Sequence, residues 1–310
     1  MDESTIISNA SPEAGAILSL FTIVMIIAGV IFLTVLTLMI INIVRSRRMK
    51  SSGEPVQDFG NPRLETIWTI VPALTLGVVF LLTVRTMNKV SPPVEQHRPD
   101  LTITANQWWW KGEYMSDSAV VANEFHWPVD QLWLLEILSA DVDHDFWVPS
   151  LGRKVDAIPG HPNHVWMQPE DTGHYQGMCA EFCGAEHAWM RFLVVVEPRD
   201  KYETWLKHQA ADASFPTDSL AIAGMGIFVT MTCRNCHTIR GLGANGIVGP
   251  DLTHVASRLK LAGGVLEDTP EGMATWLHNP QLIKPGCHMP NLDLSEDKVK
   301  ALTAYLETLK

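Results

Sequence analysis

The feature that most constrains this chain is a long stretch without charge near its N-terminus. From Ala16 to Val44 no Asp, Glu, Lys or Arg occurs. At about 1.5 Å of rise per residue, a helix over this stretch exceeds the roughly 30 Å hydrocarbon core of a bilayer. A second apolar block, Ile67 to Val84, is near the minimum spanning length, and a neighbouring helix can cover the carbonyl that Pro72 frees. The sequence therefore predicts a transmembrane hairpin in a lipid bilayer.

Basic residues between the two blocks predict the orientation of the hairpin. They are Arg45, Arg47, Arg48, Lys50 and Arg63. The positive-inside rule places this loop in the cytoplasm, so everything after about Ser91 faces the periplasmic side of a bacterial inner membrane in a multi-pass protein. A secretory signal peptide is the alternative for the first block, but the residues before that block contain no Lys or Arg.

Length, charge and cysteine usage constrain the part of the chain after the hairpin. A chain of 310 residues has room for two more folded units. Its net charge of −11 argues against a nucleic-acid partner, because phosphate binding needs a basic surface. Four of the five cysteines form two close pairs, which favours metal or cofactor chemistry over a disulfide framework. We predict a hairpin at 1–92, a β domain at 93–198, a linker at 199–217 and a last domain at 218–310.

Short apolar runs bounded by Gly, Pro and Asp predict strands in the first soluble domain. These runs are Leu101–Thr104, Trp133–Leu138, Val165–Gln168 and Met190–Val196. Because no long helical periodicity interrupts them, we expect a small antiparallel sandwich or barrel. The polar segment after this domain, from Arg199 to Asp218, predicts a short helix followed by a linker.

One short segment of the β domain carries several metal-binding side chains. Cys179, Cys183, His187 and Met190 follow one another within it. Soft sulfur selects Cu(I) and imidazole supports Cu(II), so the set favours copper. A structural Cys2His2 zinc site and a disulfide between the two cysteines are the alternatives, and a methionine alone is more often core filler. A further histidine is expected from a distant strand, and the candidates by ligand chemistry are His126, His144, His161, His164 and His174.

The segment and its upstream context resemble cytochrome c oxidase subunit II. The shared pattern is Cys-x-Glu-x-Cys-x3-His-x2-Met, preceded by x-Val-x-His-x-x-x-Val-Pro, and the histidine of that context is His144. The resemblance implies a cupredoxin-like domain with a binuclear copper (CuA) centre, in which two cysteines bridge the coppers and one histidine caps each. The implied copper ligands are Cys179, Cys183, His144, His187, Met190 and the main-chain carbonyl of Glu181. The Glu181 carboxylate is implied to face a magnesium ion at the boundary with subunit I.

Two further segments resemble the same family. Gln107-Trp108-Trp109-Trp110 is similar to a Gln-Trp-Tyr-Trp stretch whose first tryptophan, here Trp108, lies between a docked cytochrome and the copper centre. The alternative is a tryptophan that packs in a core or at a membrane interface. The segment 61–72 resembles the start of the second helix, where the acidic residue, here Glu65, lies near the mouth of a proton-uptake path. A solvated interfacial carboxylate is the alternative there.

The C-terminal part of the chain contains the attachment signature for c-type haem, Cys233-Arg-Asn-Cys236-His237. Two thiols three positions apart can form thioethers with the haem vinyl groups while the next residue ligates iron. A zinc-binding Cys-x-x-Cys is the alternative. Apolar spacing predicts helices on both sides of this signature, over approximately Ser219–Met231 and over Leu294–Leu309.

Two later loops resemble those of class I cytochromes c, which implies an all-α domain with covalently bound haem c. The segment 284–290 is similar to the Met-Pro loop, so Met289 is the implied axial ligand and His288 the alternative. The segment 248–252 is similar to a loop in which a proline carbonyl, here that of Pro250, accepts the proton of the proximal imidazole. Cys287 departs from the usual family residue.

The resemblance covers nearly the whole chain and implies subunit II of a caa3-type cytochrome c oxidase. In such an oxidase, a soluble cytochrome c or a quinol-oxidising complex donates electrons to haem c. They pass through CuA to subunit I, which holds haem and CuB, for oxygen reduction coupled to proton translocation; subunit III is a further partner. The alternatives are the small subunit of a copper-containing nitric oxide reductase, and an electron carrier or copper chaperone without a catalytic partner.

Overall fold

The computed structural model describes residues 9–48, 59–90 and 98–310. Lys50, which contributes to the predicted orientation, and the predicted domain boundary at residues 92 and 93 lie outside these ranges. The chain divides into two compact units: one is Gly15–Ser91, and the other is Met1–Ala14 together with Pro92–Lys310.

The unit Gly15–Ser91 holds the membrane helices. Its described part contains α1, which runs over Pro12–Arg48 and begins just outside the unit, and α2 (Pro62–Val90). Both are long and apolar enough to cross a membrane. Threonine hydroxyls such as that of Thr34 donate to the carbonyl one turn earlier, which satisfies a polar group inside an apolar helix. The two apolar blocks of the sequence therefore form two helices of spanning length.

The larger unit begins with a β domain made of short strands. They are β1 (Leu101–Asn106), β2 (Trp109–Tyr114), β3 (Val120–Ala122), β4 (Glu124–Pro128), β5 (Trp133–Ser139), β6 (His144–Trp147), β7 (Val155–Ala157), β8 (Asn163–Met167), β9 (Gly173–Cys179) and β10 (Arg191–Glu197). Within the described residues they form two five-stranded sheets, in the orders β3-β2-β1-β5-β8 and β4-β10-β9-β6-β7. Each strand predicted from an apolar run is present, with bounds that differ by one or two residues.

The pairing of the strands corrects one expectation. β1 pairs with β5 in parallel, and β10 pairs with β4 in parallel, whereas the other named pairs are antiparallel. The expected small sandwich or barrel of strands is present, but the expectation that it would be antiparallel was wrong for these two pairs. An apolar run identifies a strand by its alternation and composition, but neither property specifies which strand lies beside it or in which direction it runs.

Aromatic side chains fill the core of this domain. Trp110 is fully buried and contacts Phe146 and Phe192, with ring centroids 5.6 Å and 5.4 Å away in edge-on geometry. Phe192 has space only because residue 177 is glycine, since a Cβ there would lie 2.1 Å from the Phe192 ring. Buried aromatic rings in edge-on pairs contribute both apolar area and a favourable quadrupole contact. The strands next to the cysteine-containing loop 179–190 are therefore anchored in a tightly packed core.

Helix α3 (Arg199–Ala210) covers part of this core. Tyr202 and Leu206 are buried in the same apolar cluster as the sheets, and the Trp205 ring stacks on His126 at 3.9 Å. The helix predicted at the start of the linker is thus held on the β domain. The short segment after it leads directly to the last domain.

The last domain is mainly helical. Its helices are α4 (Ser219–Thr230), α5 (Cys233–Cys236), α6 (Pro270–His278), α7 (Pro280–Ile283) and α8 (Glu296–Leu306). Two small hairpins add β11 (Thr238–Ile239), β12 (Ala244–Asn245), β13 (Lys260–Leu261) and β14 (Leu266–Glu267). Gly224 lets α4 and α8 approach closely, because a Cβ at this position would lie 1.9 Å from the Ala301 carbonyl oxygen. The first and last helices of the domain therefore pack directly on each other.

Hydrogen bonds also attach the connecting segment to the last domain. Gln209 Nε2 donates to Ser257 Oγ over 3.0 Å, and Ala213 N donates to Arg240 O over 3.1 Å. The His254 ring lies between two carbonyls, with Nε2 3.0 Å from Ala211 O and Nδ1 2.7 Å from Lys310 O. The first residues of the connection between the two domains are therefore hydrogen-bonded to the last domain.

Candidate metal and haem sites

Two cysteine sulfurs form the centre of the first candidate site. Cys179 ends β9 and Cys183 lies on the loop after this strand, and both side chains are buried. Their Sγ atoms are 3.7 Å apart, whereas a disulfide bond is about 2.05 Å long. Both residues are free thiols in this structure. The pair can therefore offer two sulfur ligands.

The Cys179 sulfur has neighbours from two other parts of the chain. His144, at the start of β6, places its Nδ1 3.8 Å from Cys179 Sγ, and the Glu181 main-chain oxygen lies 3.2 Å from the same sulfur. Among the described residues, the donor atoms of His144, Cys179 and Cys183 all lie within 4.8 Å of one another. His144 is the upstream histidine that the fold brings into this group; the other four candidates lie outside it.

The Cys183 sulfur has its own neighbours. His187 Nδ1 lies 3.6 Å from Cys183 Sγ, and Met190 Sδ lies 3.8 Å from it. A 3-10 helix, His187–Trp189, shapes the loop between these two donors. His187 is not part of the group whose donor atoms all lie within 4.8 Å of one another. One tetrahedral zinc ion, with bonds of about 2.0–2.3 Å, would bring all four donors within about 3.8 Å of one another, which excludes His187 as it stands. The arrangement therefore fits two metal ions better than one.

The ionisation of the two thiols also fits a metal. The hydrogen bond with Cys183 lowers the pKa of Cys179, because it stabilises a thiolate. The same contact raises the pKa of Cys183, because a second negative charge 3.7 Å from the first is repelled. The protein alone therefore favours a single thiolate. The positive charge of bound metal would allow both sulfurs to ionise.

Asp141 is a part of this site that the sequence analysis did not identify. Its Oδ1 lies 2.8 Å from His144 Nε2, so the carboxylate orients the ring whose other nitrogen faces Cys179. Partial burial raises the pKa of Asp141, but hydrogen bonds from the His144 ring and from two backbone amides outweigh burial and lower it overall. The signal in the sequence was its position three residues before the histidine.

Trp108 and Gln107 both contact the loop of the copper motif. Trp108 Nε1 donates to Cys183 O over 2.9 Å, and Gln107 Nε2 donates to the same oxygen over 2.7 Å. Gly184 leaves room for the indole, since a Cβ there would lie 3.0 Å from it. On its other side, the Trp108 ring lies 4.8 Å from the ring of His288 in the last domain. Trp108 therefore lies between the copper-motif loop and the Met289 loop.

His237 is the best-positioned residue of the second candidate site. Its Nδ1 lies 2.8 Å from Pro250 O, so this nitrogen donates and Nε2 is left free to ligate a metal. Gly249 packs against the ring, because a Cβ there would lie 2.6 Å from His237 Cε1. Burial lowers the pKa of His237, which keeps the ring neutral. A neutral, oriented imidazole is the form that binds iron.

The surroundings of His237 fit a large apolar prosthetic group. Cys233 and Cys236 lie on α5, immediately before it, and both are partly buried free thiols. Ile247 and Val248, on the loop that leads to Gly249, are 85% and 62% exposed. Such exposure is unusual for large aliphatic side chains, and it fits a loop that covers an apolar group such as haem.

The Met289 loop is held by a side chain that the sequence analysis also missed. Gln281 Nε2 donates to Met289 O over 2.7 Å and to Cys287 O over 2.8 Å, and its Oε1 accepts from Gly286 N over 3.0 Å. Met289 packs against the apolar core of the last domain, whereas His288 is exposed and turned toward Trp108. The loop thus directs its methionine and its histidine to different surroundings.

Glu65 lies in the other unit, in the first turn of α2, and its side chain is exposed. Its backbone N donates to Asn61 O over 3.0 Å at the start of the helix. None of the described metal-ligand groups includes it.

Three family models together match most of the chain. The periplasmic domain of cytochrome c oxidase subunit II matches residues 117–197, its transmembrane domain matches residues 4–86, and the cytochrome c model matches residues 221–310. The chain is 32% identical to cytochrome c oxidase subunit 2 of Alkalihalophilus pseudofirmus, over 99% of this chain and 91% of the relative. It is 32% identical to the subunit 2 of Bacillus sp. strain PS3 and 31% identical to that of Bacillus subtilis strain 168. Both matches cover 86% of this chain. They cover 80% of the strain PS3 protein and 81% of the Bacillus subtilis protein.

These matches agree with the architecture: two spanning helices, a β domain with converging sulfur and nitrogen donors, and a mainly helical domain with a haem-attachment signature. The family implies copper in the β domain and haem in the last domain, in a subunit that works beside subunit I. The chain belongs to the cytochrome c oxidase subunit II family and carries a cytochrome c domain fused after its copper domain.

Proposed function

We propose that this chain is subunit II of a caa3-type cytochrome c oxidase. Electrons reach the cytochrome domain from an upstream donor, pass to the copper domain and continue to subunit I, where oxygen is reduced to water and protons are translocated. One observation carries the proposal: two thiol sulfurs 3.7 Å apart, each flanked by a different imidazole nitrogen. Thiolate sulfur and imidazole nitrogen are donors that suit copper, and two sulfurs placed in this way can be shared by two ions.

The copper domain would supply its ligands from three positions in the fold. The proposed ligands are Cys179 and Cys183 as bridges, His144 and His187 as one cap each, and Met190 with the Glu181 main-chain oxygen to complete the shells. When bound, the copper pair supplies reversible one-electron chemistry at sulfur-ligated metal. The protein contributes rigidity: β6 and β9 pair directly, and Asp141 fixes the His144 ring. Fixed donors reduce the rearrangement that accompanies each change of charge.

The cytochrome domain would bind haem c through Cys233 and Cys236, with His237 and Met289 as axial ligands. Pro250 supports this role of His237, because its carbonyl accepts the Nδ1 proton and leaves Nε2 for iron. The contact of His288 with Trp108 supports Met289, rather than His288, as the second axial ligand. His/Met ligation raises the iron potential, which suits a donor late in a respiratory chain.

The interdomain contact supports a role for Trp108 as the point where electrons reach the copper domain. Its indole lies between His288 and the backbone of Cys183. On another side of the loop, Phe182 is 77% exposed and Glu181 is exposed as well. We assign this surface to contact with subunit I, with the Glu181 carboxylate facing magnesium.

The remaining assignments concern the assembled complex. Basic residues in the last turn of α1 support a cytoplasmic loop, which places both soluble domains on the periplasmic side. Glu65 would lie at the mouth of a proton-uptake path in subunit I. Subunit III completes the proposed complex, and the donor is a soluble cytochrome c or a quinol-oxidising complex.

Metal analysis and electron paramagnetic resonance of the purified full-length chain in its complex test this proposal. We expect two coppers that share one unpaired electron at this subunit, and one covalently attached haem iron per chain. Changing Cys183 to Ser should remove the shared-electron signal and leave the haem in place. Zinc in place of the copper pair, or a disulfide between residues 179 and 183, would rule the proposal out.

A further inference from the structure

A buried ion pair joins the copper domain to the cytochrome domain. Lys284 Nζ lies 3.7 Å from Glu186 Oε2, and the two side chains are 5% and 1% exposed. Glu186 belongs to the loop of the copper motif, while Lys284 follows α7 in the last domain. Lys and Glu are almost never buried without a partner, so each of these charges accounts for the burial of the other.

The surroundings of the pair make it part of a close interface. Lys284 Nζ also lies 3.4 Å from the Trp189 main-chain oxygen, to which it donates. Gly263 lies under the same carbonyl, where a Cβ would be 3.1 Å from the Trp189 oxygen. At Gly286, a Cβ would be 3.5 Å from that of Ala185. The two loops therefore touch through backbone and small residues, and the ion pair is the charged contact within this interface.

Burying the two charges carries a large desolvation penalty. Both side chains are almost fully buried, and loss of hydration disfavours the charged form of each. A buried ion pair often stabilises a fold no better than apolar side chains of the same size would. It does, however, penalise arrangements that separate the two charges, since each would then be buried alone. Such a pair selects one orientation of two surfaces.

The position of the pair makes that orientation relevant to electron transfer. Glu186 directly precedes His187, and Lys284 lies on the segment that leads to Met289. The Trp108–His288 contact forms part of the same interface. A shift of one loop along the other would therefore change the relation between the two proposed metal sites.

We propose that Lys284 and Glu186 are a positioning pair that holds the cytochrome domain on the copper domain in one docked orientation. The docking itself rests on the interface alone, whereas its consequence for electron transfer rests on the proposed function. Within the part of the chain that the structure describes, no other salt bridge joins these two domains.

The test uses the full-length chain in its purified complex, with the variants Lys284→Met, Glu186→Gln and the double variant. Lys111→Met is the matched control, because Lys111 forms a half-exposed ion pair with Glu113 inside one domain. Hydrogen exchange is measured for peptides that cover 184–189 and 281–289. Each single variant should lose about a hundredfold of protection there, as expected when one partner of a buried pair is removed. The control should leave protection unchanged.

The double variant separates positioning from simple stabilisation. Without either charge, thermal stability should return close to that of the unmodified chain, because no unpaired charge is buried. The rate of electron transfer from haem to copper after flash reduction should nevertheless stay about tenfold low, because the docked orientation is no longer selected. Full recovery of both quantities in the double variant would show a structural role only and overturn the proposal.

Failure of the inference can be told apart from failure of the proposed function. The copper signal and the haem spectrum of each variant report whether both centres are present. If both are present and the single variants keep normal exchange protection and normal transfer rates, the positioning role is wrong while the proposed function stands. If the unmodified chain lacks either centre, the proposed function fails, whatever the exchange data show.

Discussion

The copper domain and the cytochrome domain prepare their sites in different ways. In the copper domain, donors from β6, β9 and the adjoining loop lie within 3.8 Å of a cysteine sulfur. In the cytochrome domain, His237 is oriented by Pro250, but large aliphatic side chains such as Ile247 remain exposed beside it. Strand pairing thus arranges the proposed copper ligands within the protein itself, whereas the cytochrome domain leaves apolar surface that a prosthetic group would cover. The comparison predicts unequal dependence on the two cofactors.

The largest effect should come from preventing haem attachment. A chain with Cys233→Ala and Cys236→Ala should lose the compact fold of residues 218–310. A tightly bound group that contacts only the folded state stabilises it by more than about 4 kcal/mol. Limited proteolysis of the purified complex should show cleavage confined to this domain, and the copper signal should persist. A cytochrome domain that resists proteases without haem would remove the contrast between the two domains.

The core of the copper domain gives the next largest effect. Trp110 is fully buried, and its ring lies 6.0 Å from the His144 ring in edge-on geometry. Trp110→Ala should lower the free energy of unfolding by about 3–5 kcal/mol. Trp109→Ala is the matched control, because the neighbouring residue of β2 faces the other side of the sheet and should cost about 1 kcal/mol. Thermal unfolding followed through the copper absorbance would measure both. Equal losses would show that the core does not support the metal site.

A smaller effect, on metal affinity rather than on folding, is expected at Asp141. Asp141→Asn keeps the size of the side chain but removes the charge beside His144 Nε2. Loss of such a partner typically weakens metal binding by about 10- to 100-fold. Competition with a copper chelator measures this change, and Asp143→Asn, at an exposed position two residues later, provides the control. Unchanged affinity would mean that strand geometry alone orients His144.

The smallest effect concerns pH. Burial disfavours the charged ring of His126, but hydrogen bonds to Glu124 and Glu197 outweigh burial and raise its pKa. Because the folded pKa exceeds the unfolded one, protonation stabilises the fold. This contribution is complete below about pH 6.5 and is lost as pH rises through the higher folded pKa. The melting temperature should fall over that range, and His126→Gln should flatten the dependence. If the melting temperature of the His126→Gln variant still fell with rising pH, another group would be responsible for the pH dependence.

The protonation state of His126 should also affect the interface between the two domains. Glu124 Oε2 accepts a hydrogen bond from Leu259 N of the cytochrome domain over 2.8 Å, while its Oε1 faces the His126 ring. Trp205 of α3 stacks on a face of that ring. Loss of the positive charge on His126 would therefore weaken a cluster to which both domains and α3 contribute.

The proximity of most donors in the proposed copper site could be predicted because these donors follow one another along the chain. Cys179, Cys183, His187 and Met190 lie on one loop, so their spacing already encodes their proximity. His144 needed the family context, since ligand chemistry allowed five histidines. The strands were recognisable from apolar runs, but the two parallel pairings were not, because pairing direction depends on contacts between distant segments.

The features that were missed have their partners elsewhere in the fold. In the sequence, Gln281 cannot be told from an ordinary polar surface residue. Its role is visible only in the folded loop, where its side-chain amide donates to Met289 O. From the sequence, Glu186 and Lys284 would each be assigned to the protein surface, because side chains of these types are mostly exposed. Only the docking of two domains places them together. Such pairs depend on tertiary structure, which local patterns in a sequence do not record.

The hydrogen bonds at the start of the segment between α3 and the cytochrome domain have a kinetic consequence. Contacts such as those of Gln209 with Ser257 and of His254 with the Ala211 carbonyl leave the cytochrome little freedom to move away. A partner tethered so closely acts at a high effective concentration, far above that of a freely diffusing carrier. A soluble cytochrome would therefore compete poorly for the face of the copper domain beside Trp108. On the proposed function, incoming electrons would enter through the tethered cytochrome, and the outward surface of that cytochrome would determine which carriers the oxidase accepts.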